Sequence, residues 1–270
     1  MSDQIFGFVL YCGQLFALTL GVLLICGLAV GLSARLFAKL LGGGSGAVFD
    51  VTSLIGTPIH ELGHAVMCVL FGHRIRRVKL WTPNPENGVY GYVEHSFNKK
   101  NPWAVFGNLF IAMGPIFSGL GVMVLMLWLC FPTQWNQYLQ ATHQLSAAAA
   151  TPFEIALGVI ALLCSIPQAF ASDWIRSLLG LLVILPVSLH VSLSWQDIKS
   201  GVTALPIYLL MLVVFGAATW LSNVSAQVTS VLWLLNLRML SLFCIVIAFC
   251  AVWVLIALLI RLVRLVIGWF

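Results

Sequence analysis

Along most of this chain apolar residues do not alternate with polar ones; they run in long, nearly uninterrupted blocks. A helix needs about 20 consecutive apolar residues to cross the hydrocarbon core of a bilayer. By that measure the blocks near 5–31, 46–71, 103–131, 153–170, 202–221 and 231–260 are six expected membrane spans. A shorter apolar run at 174–189 contains Pro186, and His190, Ser192, Ser194 and Asp197 follow it before the next block. That pattern predicts a short broken or half-spanning helix, because irregular backbone at membrane depth is tolerated only where protein buries it or where it lines a wet cavity. Gly42-Gly43-Gly44-Ser45-Gly46 predicts a hinge between the first two spans.

The one substantial polar segment between spans is 73–101. Within it, Arg74–Trp81 and Gly88–His95 are rich in β-branched and aromatic residues, and Thr82–Gly88 between them is turn material containing Pro83, Asn84, Pro85 and Asn87. Two such runs joined by such a turn predict a small β-hairpin. No repeat and no long linker divides the chain, so residues 1–270 form one expected domain. The fold class is an all-α polytopic membrane protein, with the hairpin following the second span.

Composition agrees with lipid as the main solvent. Of 270 residues, 61% are hydrophobic and 8% charged, whereas a soluble domain carries about a quarter charged. The net charge of +5 is small and dispersed, with no basic stripe interleaved with aromatics, and this excludes nucleic acid as a partner. The first block is longer than a signal-peptide core and no small-residue cleavage site clearly follows it, so it reads as a retained helix. All seven cysteines lie in apolar blocks with no CxxC pair, as free buried residues do. The positive-inside rule places the basic 73–100 segment in the cytoplasm, the charge-free 132–152 loop on the other side, and Arg261 and Arg264 back inside, while Arg35 and Lys39 fit that orientation less well. The expected location is a bacterial inner membrane, with the bilayer itself as a partner.

One block carries chemistry. His60-Glu61-Leu62-Gly63-His64 is an HExxH sequence inside an apolar helix. Residues four apart on a helix lie about 40° apart around its axis, so both imidazoles share one face and can bind one metal. Glu61 adjoins the first ligand, where it can act as general base on a water held by zinc. Ionisable groups at membrane depth are costly, and a cluster of three in little more than a turn calls for a function. A catalytic zinc takes a third protein ligand and keeps one position open. The other carboxylates are Asp3, Asp50, Glu86, Glu94, Glu154, Asp173 and Asp197, and the other histidines are His73, His95, His143 and His190. Outside the HExxH helix, His and Asp occur together beside an apolar break only at His190–Asp197. Asp197 is the first choice of third ligand, with His190 next and Asp173 open. Ser194 and Asp197 also have the spacing of a helix-capping box, which does not exclude a ligand role.

His60–His64, then Phe71-Gly72-His73, the expected hairpin, and Ala112-Met113-Gly114-Pro115 together resemble the site-2 protease family of intramembrane zinc metalloproteases. The resemblance covers roughly residues 46–120 closely and 186–200 loosely. It implies a membrane-associated hairpin after the HExxH helix and an aspartate at the start of a later helix as third zinc ligand. The family's Asn-x-x-Pro and Leu-Asp-Gly segments are replaced here by Leu189–Ile198, and Ser118 stands where the family has an asparagine after Gly-Pro. The activity implied by the resemblance is peptide-bond hydrolysis in a transmembrane protein substrate. Zn2+ would be held by His60, His64 and Asp197, Glu61 would be the base, and the hairpin edge would receive an extended substrate. His190, if not a ligand, is the candidate oxyanion donor. Two rivals stay open: a membrane zinc protease of the prenyl-protein type, for which Glu154 would be the available glutamate, and a transporter or proton or ion pathway using the same intramembrane cluster.

Overall fold

The structure is a computed structural model, and it describes residues 2–267 apart from 84, 86, 87 and 148–151. It is mostly helical. In chain order the elements are α1 (Ser2–Phe16), a π-helical turn (Ala17–Gly21), α2 (Val22–Leu41), a 3-10 turn (Gly42–Gly44), α3 (Ser45–Leu70), β1 (Arg74–Lys79), β2 (Tyr92–Ser96), α4 (Pro102–Cys130), α5 (Pro132–Ala147), α6 (Pro152–Ser172), α7 (Trp174–His190), α8 (Trp195–Val202), α9 (Leu205–Leu221) and α10 (Ser225–Ile267).

Among the described residues, four stretches are long and apolar enough to cross a membrane: Ser2–Leu70, Pro102–Cys130, Glu154–Ser172 and Ser225–Ile267. The pair α7 and α8, bent by 58°, makes a fifth if counted as one. The first stretch holds two of the expected spans, 5–31 and 46–71, with the chain breaking between them at Gly42 (φ 65°, ψ −134°). The 202–221 block gives less than expected. Val202 completes α8, a turn follows at Thr203 and Ala204, and α9 restarts with Pro206 in its first turn, leaving 17 helical residues. The expected broken helix is the bent α7–α8 pair. Many large apolar side chains face outward, among them Leu210 and Val214 on α9 and Leu259 and Leu262 on α10.

The expected 132–152 loop is largely helix α5. Pro132 opens it at a position where a missing N–H costs nothing. Trp135 and Tyr138, three apart, bury one face, and the Tyr138 hydroxyl donates to Ser241 Oγ at 2.5 Å. This face is too narrow to register as an apolar block. The rest of the expected loop, 148–151, lies outside the described residues.

β1 and β2 form an antiparallel hairpin, shorter than expected, with register Arg74↔Ser96, Ile75↔His95 and Lys79↔Tyr92 and an irregularity between Ile75 and Arg77. Asn84, Glu86 and Asn87 of the expected turn lie outside the described residues. The hairpin does not project from the bundle. Trp81 Nε1 donates to Ser53 Oγ (2.9 Å) and the Tyr90 hydroxyl to Asp50 Oδ1 (2.6 Å), so it folds back along α3 toward that helix's start. Burial, then the Asp50 carboxylate, pushes the Tyr90 phenol up to about 12.

The placement of the basic groups along α3 also bears on the orientation expected from charge. The Arg264 guanidinium donates to the Leu41 carbonyl (3.2 Å) beside the start of α3, while Arg74 follows its end. A helix of 26 residues is about 39 Å long, so the two basic groups flank opposite ends of α3. The orientation expected from charge, which puts both groups on one side, does not fit this placement.

Candidate metal centre

α3 and α4 cross with their backbones in contact. A Cβ on Gly114 would lie 2.6 Å from the Gly63 carbonyl carbon, and a Cβ on Gly63 would strike Gly114 in turn. Only glycines allow this approach, which brings His64 within reach of the α4 backbone. Pro115 supplies the other half of the arrangement. It has no N–H, so the carbonyl four residues earlier, Ile111, lacks its helical partner. That carbonyl accepts a hydrogen bond from His64 Nδ1 at 2.7 Å. His60 Nδ1 likewise donates to the His190 carbonyl at 2.8 Å, an unpaired acceptor because α7 ends there.

Both acceptors are carbonyl oxygens, so both Nδ1 atoms carry the proton. The two Nε2 lone pairs then face each other 3.3 Å apart. Asp197 closes the triangle, with Oδ1 3.2 Å from His64 Nε2 and Oδ2 3.8 Å from His60 Nε2. Its carboxylate is held by a capping box at the start of α8. Ser194 N donates to Asp197 Oδ2 at 2.8 Å, and Asp197 N donates to Ser194 Oγ at 3.1 Å. The capping and ligand roles read from the sequence are therefore compatible: one carboxylate serves the helix start and still faces the imidazoles.

Two lone pairs and a carboxylate repel one another unless a cation lies between them. A proton on His64 Nε2 relieves its contacts with Asp197 and His60 but leaves the His60 lone pair facing the carboxylate at 3.8 Å, whereas a divalent ion relieves all three. Ligands about 2.0–2.1 Å from a tetrahedral zinc stand about 3.3 Å apart, close to the spacings here. The donor set of two imidazoles and one carboxylate fits zinc, and the Nδ1 hydrogen bonds are the outer contacts that orient metal-binding histidines. His60, His64 and Asp197 therefore fit a metal ion. Replacing Pro115 by Ala returns an N–H that competes for the Ile111 carbonyl. The expected result is a zinc affinity about 10- to 100-fold weaker, measured by competition with a chromogenic chelator; unchanged affinity would show that Ile111 does not orient His64.

Glu61, the expected base, is buried and lines, with all three ligands, a cavity of about 850 Å³. The hairpin run Gly88–His95 also lines the cavity, and Gly91 packs against Thr57 and Glu61 of α3 so closely that a Cβ there would meet both. The His190 side chain also lines the cavity but stands outside the ligand triangle. Its ring packs on Gly56 and Phe49, and its Nδ1 donates to the Pro186 carbonyl at 2.9 Å. That bond leaves Nε2 of the neutral ring an acceptor, unsuited to donating to an oxyanion. Asp173 is remote: it is exposed and caps α7 by accepting from Arg176 N.

Sequence reasoning did not single out a second convergence. Cys68, His73 and His95 also bring three ligand atoms within 4.8 Å of one another. Burial, then the neighbouring His73 and His64 rings, holds the His95 imidazole below its ordinary range, so it is neutral at pH 7. Comparison with known protein families, curated proteins and solved structures finds no match to this chain.

Proposed function

We propose that the chain is a multi-pass membrane zinc metalloprotease, similar to the site-2 proteases, that hydrolyses peptide bonds of membrane-protein substrates within or near the bilayer. One observation carries it: two imidazole lone pairs and a carboxylate converge, with Glu61 beside them, in a cavity walled by a β-strand. A metal pathway would need the ligands, but neither an adjacent buried glutamate nor a strand.

Zinc held by His60, His64 and Asp197 would supply Lewis acidity, lowering the pKa of a bound water to about 7 and polarising the scissile carbonyl. Glu61 takes the attacking water's proton and returns it to the leaving amine, so the peptide bond breaks with no net proton uptake. A helical substrate hides its carbonyls in its own hydrogen bonds and must be extended before attack. β2 pairs only with β1, so its other edge is free among the described residues to bind such a segment through backbone hydrogen bonds.

The test is cleavage of a panel of single-span proteins by the purified chain in lipid. Cleavage should stop on chelation, return on zinc addition, and be absent from Asp197→Asn. Bound zinc without cleavage of any panel member would overturn the protease assignment and leave a metal-binding role.

A further inference from the structure

The end of α3 is built to bring a cysteine and a histidine together. Gly72 takes φ +69°, which glycine adopts without strain. With it, His73 N donates to the Cys68 carbonyl at 2.8 Å and Gly72 N to the Val69 carbonyl at 3.2 Å, the paired bonds of a Schellman cap. The chain thus folds His73 back over Cys68, which has no exposed surface. Hairpin pairing adds the third group: with Arg74 opposite Ser96 and Ile75 opposite His95, the His95 ring reaches His73, and their Nδ1 atoms stand 2.9 Å apart.

The hydrogen bonding repeats that of the first centre. His73 Nε2 donates to the Ala104 carbonyl at 2.7 Å, near the start of α4, which fixes the proton on Nε2 and leaves a lone pair on Nδ1. Phe97 stacks on the same ring, with centroids 4.6 Å apart, and holds it in place. In the metal-free chain His95 Nδ1–H must therefore donate to His73. His60, His64 and Cys68 follow at four-residue intervals on α3, so this group lies one turn beyond the first centre.

We propose that Cys68 Sγ, His73 Nδ1 and His95 Nδ1 form a second site for a borderline-soft divalent cation of the zinc class. One thiolate and two imidazoles are the donors such ions favour over magnesium or calcium. Binding releases the Cys68 thiol proton to solvent and moves the His95 ring proton from Nδ1 to Nε2. The ion joins the end of α3 to β2 and, through His73, to α4. It fastens the root of the hairpin that walls the first cavity, whatever reaction that cavity supports.

Cobalt(II) loading of the purified full-length protein tests this, because only this site contains sulfur. Wild type should bind about two cobalt ions per chain and show thiolate-to-metal charge-transfer absorption. Cys68→Ser should lose that absorption and about one ion. The double variant His60→Ala/His64→Ala should lose one ion and keep the absorption. X-ray absorption on zinc-loaded wild type needs no variant to fold, and a sulfur neighbour at about 2.3 Å is expected. Either the absence of that sulfur and of the charge-transfer band in wild type, or a band that survives Cys68→Ser, would overturn the site and leave a hydrogen-bonded histidine pair beside a buried thiol.

Discussion

Glu61→Gln should lose cleavage about 10²- to 10⁴-fold while keeping its fold and its zinc. A positioned general base contributes roughly that factor, and the amide cannot accept the water's proton. The substitution is nearly isosteric, so the close packing of Glu61 against Gly91 survives. None of the ligand atoms belongs to Glu61, so zinc content should match wild type by elemental analysis. The comparison is made in lipid with one single-span substrate at saturating and sub-saturating concentrations. The loss should appear in kcat, with KM little changed, because Glu61 acts on water and not on the bound strand. A variant with full zinc that cleaves at the wild-type rate would remove Glu61 from the mechanism.

The HExxH face of α3 was legible because ionisable residues stand out against an apolar block. Asp197 was legible by elimination, since the chain has few carboxylates and a broken helix marks where one can enter the bundle. The hairpin was visible in its turn residues, but its position was not: the bonds from Trp81 to Ser53 and from Tyr90 to Asp50 join polar groups far apart in sequence, and nothing local announces them. His190 shows a different limit. Its type drew attention to the side chain, yet the atom that orients His60 is its backbone carbonyl, exposed by the end of α7. The Ile111 carbonyl was legible in principle. A proline inside a helix frees the carbonyl four residues before it, and Pro115 stands in the very motif that carried the family resemblance. Cys68, His73 and His95 were passed over because each has an ordinary explanation alone; only the Schellman cap and the strand register bring them together.

The largest expected effect on stability lies at the crossing of α3 and α4, where one helix provides both the test and its control. Gly114→Ala puts a Cβ 2.6 Å from the Gly63 carbonyl carbon and 2.8 Å from His64 N. These are backbone atoms with no rotamer to change, so the helices must separate. Overpacking a core costs about 1–3 kcal/mol where side chains can adjust, and rigid backbone puts this case at or above that range. Separation also lengthens the bond from His64 Nδ1 to the Ile111 carbonyl, so zinc affinity should fall together with stability. Gly121→Ala lies two turns further along α4 with nothing within 4 Å of the added Cβ. There the same substitution removes only a weak helix former and should stabilise by up to about 1 kcal/mol. Thermal unfolding in detergent should therefore move in opposite directions for the two alanines, with zinc affinity reduced only in Gly114→Ala. Equal transition temperatures and equal zinc affinities would mean that α3 and α4 do not meet backbone to backbone, and the geometry that aims His64 at the metal would have to come from elsewhere.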